Sequence, residues 1–460
     1  MKEYDIQKHL WENKETWRDF IEDIKFPDKY DFLKTEGSIY ERTPDKVFFN
    51  EVIDRYIQIY EGVKDLQLVG CEVPLKKSGD STIRADLLGT ADSCIAIIEI
   101  KKSAQTERQA YTELFAYASH LQAIFPTMST EDIHYVLISP MEERIVREAS
   151  IYSFLFDEKP VFAFIPIYEN NDAKTLKLKP WIPKIEDIIK VTEAAFSLKN
   201  FDVFKVAWEE IEGWNAIKRE NNPSEKVVAR MNRISTYAAQ LMETKRVHGF
   251  VYTCQGYPEA PLLNNAIVVA GLNPYKIAKD YYLIQELQLK PQKLDSVSDE
   301  SINLLQIIPE LKNKAEEIIE ENEHFYNLIV EWSNTIAGIA FDTVRLMTTN
   351  DKELNVERGW GGMSWKQYQA NILEDVNVFN YDIKATGLLR RLWAIYSQQD
   401  YEYVTKHGSD MHPYLHHGDF PNFLVDSFNE QRYFREFLYS IFESYKDVLD
   451  EFDDSKERPL

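Results

Sequence analysis

The stretch Ser81–Tyr117, STIRADLLGTADSCIAIIEIKKSAQTERQAYTELFAY, constrains the fold more tightly than any other part of the chain. Two apolar runs of strand length, Ile83–Leu88 and Cys94–Ile100, flank a Gly-Thr-Ala-Asp-Ser cluster, which is the pattern of a β-hairpin with a longer loop. Asp86 interrupts the first run, and Glu99 and Lys101 stand at the end of the second. Side chains alternate faces along a strand, so Glu99 and Lys101, two apart, point to the same side. Ionised groups gathered on an apolar sheet are costly to bury unless they are paired or hold a metal. The stretch therefore predicts a metal-dependent hydrolytic site.

The flanking sequence predicts a sheet around this hairpin. An amphipathic helix is expected over residues 4–23, with Ile6, Leu10, Trp17 and Ile21 at helical spacing. A second helix starts at Thr43-Pro44-Asp45, where Thr offers a cap and Pro suits the first turn, and stops near Gly62. Leu66–Val73 reads as a strand before the hairpin, and Thr106–Phe125 as a helix after it. His134–Ser139 and Val161–Tyr168 are β-rich runs separated by a helical Glu142–Phe156. Alternation of this kind gives a mixed α/β domain. Asn170-Asn171-Asp172 and the proline-bearing Leu178–Lys184 mark its boundary.

Beyond that boundary Ile185–Ala195, Val203–Lys218 and Glu225–Lys245 read as helices, and His248–Cys254 and Ala266–Ala270 as strands. From Ser298 onward the pattern is mainly helical: Ser298–Leu346 with a break at Pro309, then Trp365–Leu373, Leu388–Ser397 and Gln431–Phe452. The expected organisation is an N-terminal helical segment (1–40), a domain built on the hairpin (41–170), a mixed α/β region (171–295) and a mainly helical region (296–460).

Charge and cysteine content narrow the function classes. A net charge of −23 argues against a simple nucleic-acid binder, because phosphate contacts come with a basic footprint. It leaves a metal site that neutralises phosphate locally, or a partner protein or guide complex that does the binding. Cys71, Cys94 and Cys254 are far apart with no CxxC pair, so neither a zinc knuckle nor a disulfide framework is indicated. The N-terminus has no apolar leader, and runs such as Val161–Ile167 are too short for a membrane span. A soluble, cytoplasmic protein with no membrane association is the expectation.

Arg84-Ala85-Asp86 followed by Ile95-Ala96-Ile97-Ile98-Glu99-Ile100-Lys101-Lys102 resembles the PD-(D/E)XK nuclease superfamily. The Ile-Ala-Ile-Ile-Glu-x-Lys-Lys wording is most similar to the nuclease domains of type I restriction motor subunits. Leu68–Pro74 is similar to a group of mismatch-directed endonucleases. On the following helix a related branch carries Gln four residues before Tyr; here Glu113 and Tyr117 occupy those places. A further departure is Ala85, where many members have Pro. The resemblance covers roughly residues 45–168.

What it implies is a restriction-endonuclease-like mixed sheet flanked by helices, and Mg²⁺- or Mn²⁺-dependent phosphodiester hydrolysis, with DNA favoured over RNA. Asp86, Glu99 and Lys101 would be catalytic. Asp86 and Glu99 would also bind the metal, with the Ile100 carbonyl a third ligand and an acidic residue before the hairpin, Glu51 first and Glu41 second, a further candidate. Gln109, Glu113 and Tyr117 would support them. The whole arrangement resembles endonuclease effectors of prokaryotic restriction or anti-phage defence, with the C-terminal region recognising nucleic acid or a partner. The alternative is a non-catalytic nucleic-acid-binding or assembly subunit that keeps the fold. Oligomeric state is left open.

Weaker candidates lie in the C-terminal region. His407, His412, His416 and His417 cluster in a stretch punctuated by Pro413 and Gly418, which favours a polar loop over a zinc site. Arg358–Trp365 is glycine-rich but lacks Walker A spacing, and reads as a packed turn. Lys245-Arg246 and Arg390-Arg391 are notable basic doublets past residue 170, and each is a candidate phosphate contact.

Overall fold

A strand apolar on both faces belongs in the interior of a sheet, and CIAIIEI is such a strand: Ala96, Ile97, Ile98 and Ile100 are each buried. The structure, a computed structural model, describes residues 2–74, 84–92, 94–128, 132–156, 159–195, 200–208, 224–255, 265–308, 323–348, 356–357, 379–408 and 437. These form two compact units, one of residues 1–30 with 45–189 and one of residues 31–44 with 190–460.

The first unit begins with α1 (Glu3–Glu12), the single turn α2 (Trp17–Phe20) and α3 (Pro44–Lys64). The expected helix over residues 4–23 is thus interrupted by a 3₁₀ turn at Lys14–Thr16. Then follow β1 (Gln67–Pro74), β2 (Arg84–Ala91), β3 (Cys94–Ile100), α4 (Ala104–Ile124), β4 (Ile133–Ile138), α5 (Arg144–Leu155), β5 (Val161–Ile167) and β6 (Lys177–Pro180). The six strands lie side by side in chain order. β1, β2 and β3 form an antiparallel meander, β4 and β5 add in parallel, and β6 closes the far edge antiparallel to β5. The α/β class and the mixed sheet are as expected.

One segment differs: Leu178–Lys184 reads as a boundary, yet its first residues are β6, paired through Pro180 and Phe164. Proline is tolerated there because β6 is an edge strand, whose outer side carries an isolated bridge from Leu178 to Ile21 rather than a continuous ladder.

The register assigns the two sheet faces. Leu88, Ile97, Tyr135 and Val161 share one face, covered by Ala110, Leu114, Tyr117 and Leu121 of α4. Ile98, Val136 and Phe162 share the other, where α3 packs. Tyr56 of α3 stacks on Phe154 with ring centres 4.0 Å apart and lies 5.3 Å from Phe162. Glu99, beside Leu137, falls on the α4 face.

α6 (Ile185–Ala195) carries the chain onward to β7 (Phe201–Trp208), α7 (Glu225–Thr244), β8 (Gly249–Gln255), β9 (Asn265–Leu272), α8 (Pro274–Gln285), α9 (Leu304–Ile307) and α10 (Glu323–Thr348). β10 (Val356–Glu357), β11 (Phe379–Asn380), β12 (Lys384–Thr386) and α11 (Gly387–His407) complete the described elements. Phe201–Trp208 is a strand, not the helix expected from Val203. It is buried on both faces, and such a run has no period that separates strand from helix.

The second sheet runs β10-β7-β9-β8-β11, with β12 also on β8, and every pairing is antiparallel. Among the described residues past 296, where a mainly helical region is expected, β10, β11 and β12 are strands of this sheet beside the helices α9, α10 and α11. α7 and α10 cover one face through Met231, Ile234, Ala238, Ile336 and Ala340. Ser224 caps α7, its side chain accepting from Val227 N, a contact worth about 1 kcal/mol.

In the second unit Arg42 donates to Asp400 Oδ1 at 2.7 Å, with side chains 2% and 0% exposed. Its guanidinium stacks 3.8 Å from the centre of the Tyr396 ring. The expected Trp365–Leu373 and Gln431–Phe452 helices, the Arg358–Trp365 turn, and His412, His416 and His417 lie outside the described residues, Phe437 apart. Among the described residues no helix is long and apolar enough to cross a membrane.

Candidate active site

The hairpin ladder stops just where its charged residues begin. β2 and β3 pair from Ala91/Cys94 to Leu87/Ile98. One step on, Asp86 would face Glu99, but Asp86 Oδ2 takes the Ile100 N–H at 2.9 Å instead. Lys101 is held on the other flank, its N–H donating to Ile138 O of β4 at 2.8 Å. Three bonds thus fix the end of β3: a carboxylate on one side, a backbone carbonyl on the other, and a side-chain pair above.

That pair is a triad. Lys101 Nζ donates to Glu99 Oε1 at 2.6 Å and to Glu113 Oε2 of α4 at 2.5 Å. Glu99 and Lys101 are both buried, while Glu113 is 36% exposed. Glu99 Oε2 is buried and accepts no hydrogen bond.

Proton affinities follow from this burial. Burial, then the nearby Asp86 charge, pushes the Glu99 carboxyl up to about 9, against the opposing pull of Lys101. Burial likewise raises Asp86, opposed by the Ile100 N–H and the Lys101 charge. Burial also works against the Lys101 ammonium, but bonds to Glu113 and Glu99 outweigh it and hold its proton firmly. Tyr117, one helical turn past Glu113, has its phenol raised by burial and then by Glu99, Glu113 and Asp86. It stays a neutral donor beside the carboxyls.

The structure thus brings Asp86, Glu99, Lys101, Glu113 and Tyr117 together. Gln109 is exposed on α4, without a hydrogen bond or ion pair to the group. Glu51 is not brought to it either: α3 packs on the opposite face of the sheet, and no hydrogen bond links Glu51 to Asp86, Glu99 or Lys101.

Two residues of α1 stand beside the site instead. Gln7, 6% exposed, donates from Nε2 to Asp86 O at 3.0 Å. Glu3 Oε1 accepts from Lys102 N at 3.0 Å and Thr106 Oγ1 at 3.3 Å, and its charge adds to the rise at Asp86. The signal for Gln7 was a polar residue on the stripe of Ile6 and Leu10. Glu3 carries no local signal, since its partners lie about a hundred residues away.

Glu107 anchors the helix that supplies Glu113 and Tyr117. Fully buried, it accepts from Ser139 Oγ at 2.7 Å and from Glu143 N at 3.0 Å. This ties the first turn of α4 to the end of β4 and the start of α5. Glu107→Ala leaves those donors unpaired, and a stability loss of about 2–3 kcal/mol is expected in a urea melt.

Among the described residues no three or more His, Cys, Asp or Glu side chains are arranged to hold a metal ion. A cation here would rest on Asp86 and Glu99, with water and phosphate completing its shell. Mg²⁺ suits such a site, since it typically takes one or two carboxylates and keeps several waters. The residues fit: Glu99 Oε2 is a buried acceptor with no donor, and it neighbours a second raised carboxyl. No protein-family model matches the sequence, and no curated protein or solved structure matches it.

Proposed function

We propose that the first unit is a divalent-cation-dependent phosphodiesterase acting on nucleic acid, DNA ahead of RNA. The second unit is its recognition or partner-binding module, in keeping with a defence effector. The observation that carries the reading is the buried Oε2 of Glu99, to which no N–H or O–H donates, in a carboxyl set against that of Asp86 and beside Lys101. An ionisable oxygen buried without a donor costs about 1–3 kcal/mol or more, and an ion shared with Asp86 would take the donor's place. Further support comes from the order of elements. Asp86 on the second strand and Glu-x-Lys on the third, then a helix and a parallel strand, is what a restriction-endonuclease-like core requires.

Asp86 and Glu99 would hold Mg²⁺ or Mn²⁺, with the Ile100 carbonyl beside them. A bound divalent ion polarises a phosphoryl oxygen and lowers the pKa of a coordinated water. Lys101, kept protonated by Glu113, donates to the attacking water or to the phosphate oxygen on which charge develops. Glu113 retains the ammonium if Glu99 turns to a cation. Tyr117, neutral and nearly buried, seals the α4 side and offers a donor without adding charge.

The second reading, a subunit without catalysis, is favoured by one feature: Lys101 is already satisfied by its two carboxylates. Plasmid DNA and a structured RNA incubated with Mg²⁺, Mn²⁺ or EDTA separate the two. Cation-dependent cleavage by wild type, absent in Glu99→Ala, is expected. Folded wild type that cuts neither polymer with either cation would leave only the binding subunit.

A further inference from the structure

Lys245-Arg246 and Arg390-Arg391 are about 145 residues apart in the chain, yet the fold brings them to one junction of the second unit. The link is made by the start of α11. Gly387 N donates to Glu243 Oε1 of α7 at 3.1 Å, and Leu388 N donates to His248 Nδ1 at 3.2 Å. β12 pairs with β8 just before this point, Thr386 opposite Gly249. Arg390 then reaches back to Glu243 Oε1 at 3.2 Å, with its side chain 66% exposed. Lys245 and Arg246, both exposed, follow Glu243 directly. Arg246 and Arg391 both press their charge on His248, which burial keeps neutral. Arg390 thus pairs with the Glu243 carboxylate, Arg246 and Arg391 lie near His248, and Lys245 is exposed on the same turn, a local excess of positive charge in a chain whose net charge is −23.

Two of these cations sit against local preference. Arg246 follows the end of α7 with φ of 55°, a left-handed position where glycine is the low-energy residue. Arg390 lies in the first turn of α11, which holds no acidic residue, where the helix dipole repels positive charge. The helix N-terminus itself is not the attraction, because Glu243 and His248 already take its first N–H groups. Gly387 has φ of +56°, and a Cβ there would meet His248 Nδ1 at 2.1 Å, so the close seating of α11 on His248 is built in. Cations held where folding disfavours them, on a rigid junction, suit a function outside folding.

We infer that the exposed cations Lys245, Arg246 and Arg390 form a docking surface for the phosphate backbone of a polynucleotide, separate from the candidate active site, with the half-buried Arg391 beneath them. The inference rests on the nuclease reading only in taking the phosphate polymer to be a nucleic acid. Arginine forks match phosphate oxygens, and a patch of this kind supplies the basic footprint that the overall charge hides.

The test is fluorescence anisotropy with a short labelled single strand and its duplex, in EDTA, across a salt series. Wild type is expected to bind one of them with a salt-dependent affinity. Arg246→Gly is expected to melt at a higher temperature, because it relieves the left-handed strain, and yet to bind more weakly, with a salt slope shallower by about 0.7–0.9. Arg390→Gln should lower the slope by a similar amount, and Arg246→Glu should weaken binding further. Because binding is read in EDTA, where cation-dependent cleavage does not run, a failure of cleavage and a failure of this surface are read separately. The inference is overturned if Arg246→Gly and Arg390→Gln keep wild-type affinity and slope, or if wild type binds neither strand. Displacement of the strand by inorganic phosphate at micromolar concentration would overturn it in favour of a small phosphate ligand.

Discussion

Lys101→Met is expected to lower single-turnover cleavage by about a thousandfold while leaving the protein folded. Removing one preorganised donor to developing charge costs about 10²–10³ in rate, and in the proposed reaction Lys101 would also orient the nucleophile. Met keeps the aliphatic stem, so the packing of a residue 7% exposed is largely retained. Glu113→Gln is the informative companion. It removes a charge but keeps an acceptor for Lys101 Nζ, and a change of less than about tenfold is expected, because the amide oxygen still takes the ammonium where Glu113 held it. A thousandfold loss in Glu113→Gln with Lys101→Met unaffected would reverse the roles assigned to the two residues.

The largest stability effect is expected at Asp400. Its partner Arg42 is 3% exposed, and besides the ion pair donates to the Tyr396 carbonyl at 3.3 Å. Asp400→Ala leaves the guanidinium buried without its counter-charge, and breaking a buried pair in this way costs about 3–5 kcal/mol. The measurement is the urea midpoint of the full chain. The double variant Arg42→Met/Asp400→Leu should recover most of the loss, since replacing both charges by packed apolar groups is often neutral. A single variant as stable as wild type would mean that water reaches the site.

What was legible in the sequence had local causes. β3 was visible because its β-branched residues are buried on both faces and a turn cluster precedes it, and its bounds are Cys94–Ile100 in both readings. α4 and β4 were read within two residues of their ends. The catalytic candidates on these elements were visible because charge in an apolar strand is unusual. What was hidden depends on distant partners. β7 takes its strand form from pairing with β9 along its whole length, and nothing in Phe201–Trp208 announces that partner. Glu51 looked suitable on an apolar helix, but the face on which α3 packs is decided by Phe162. Glu3, near the start of the chain, acquires its place through the Lys102 N–H.

The central claim, that Asp86 and Glu99 share a divalent cation, is tested most directly by a crystal soaked in Mn²⁺ and measured for anomalous scattering. The expected result is a peak within coordination distance of oxygens of both carboxylates, with Lys101 Nζ still on Glu113. A map without a peak at that position, in a crystal whose Glu99 still pairs with Lys101, would contradict it.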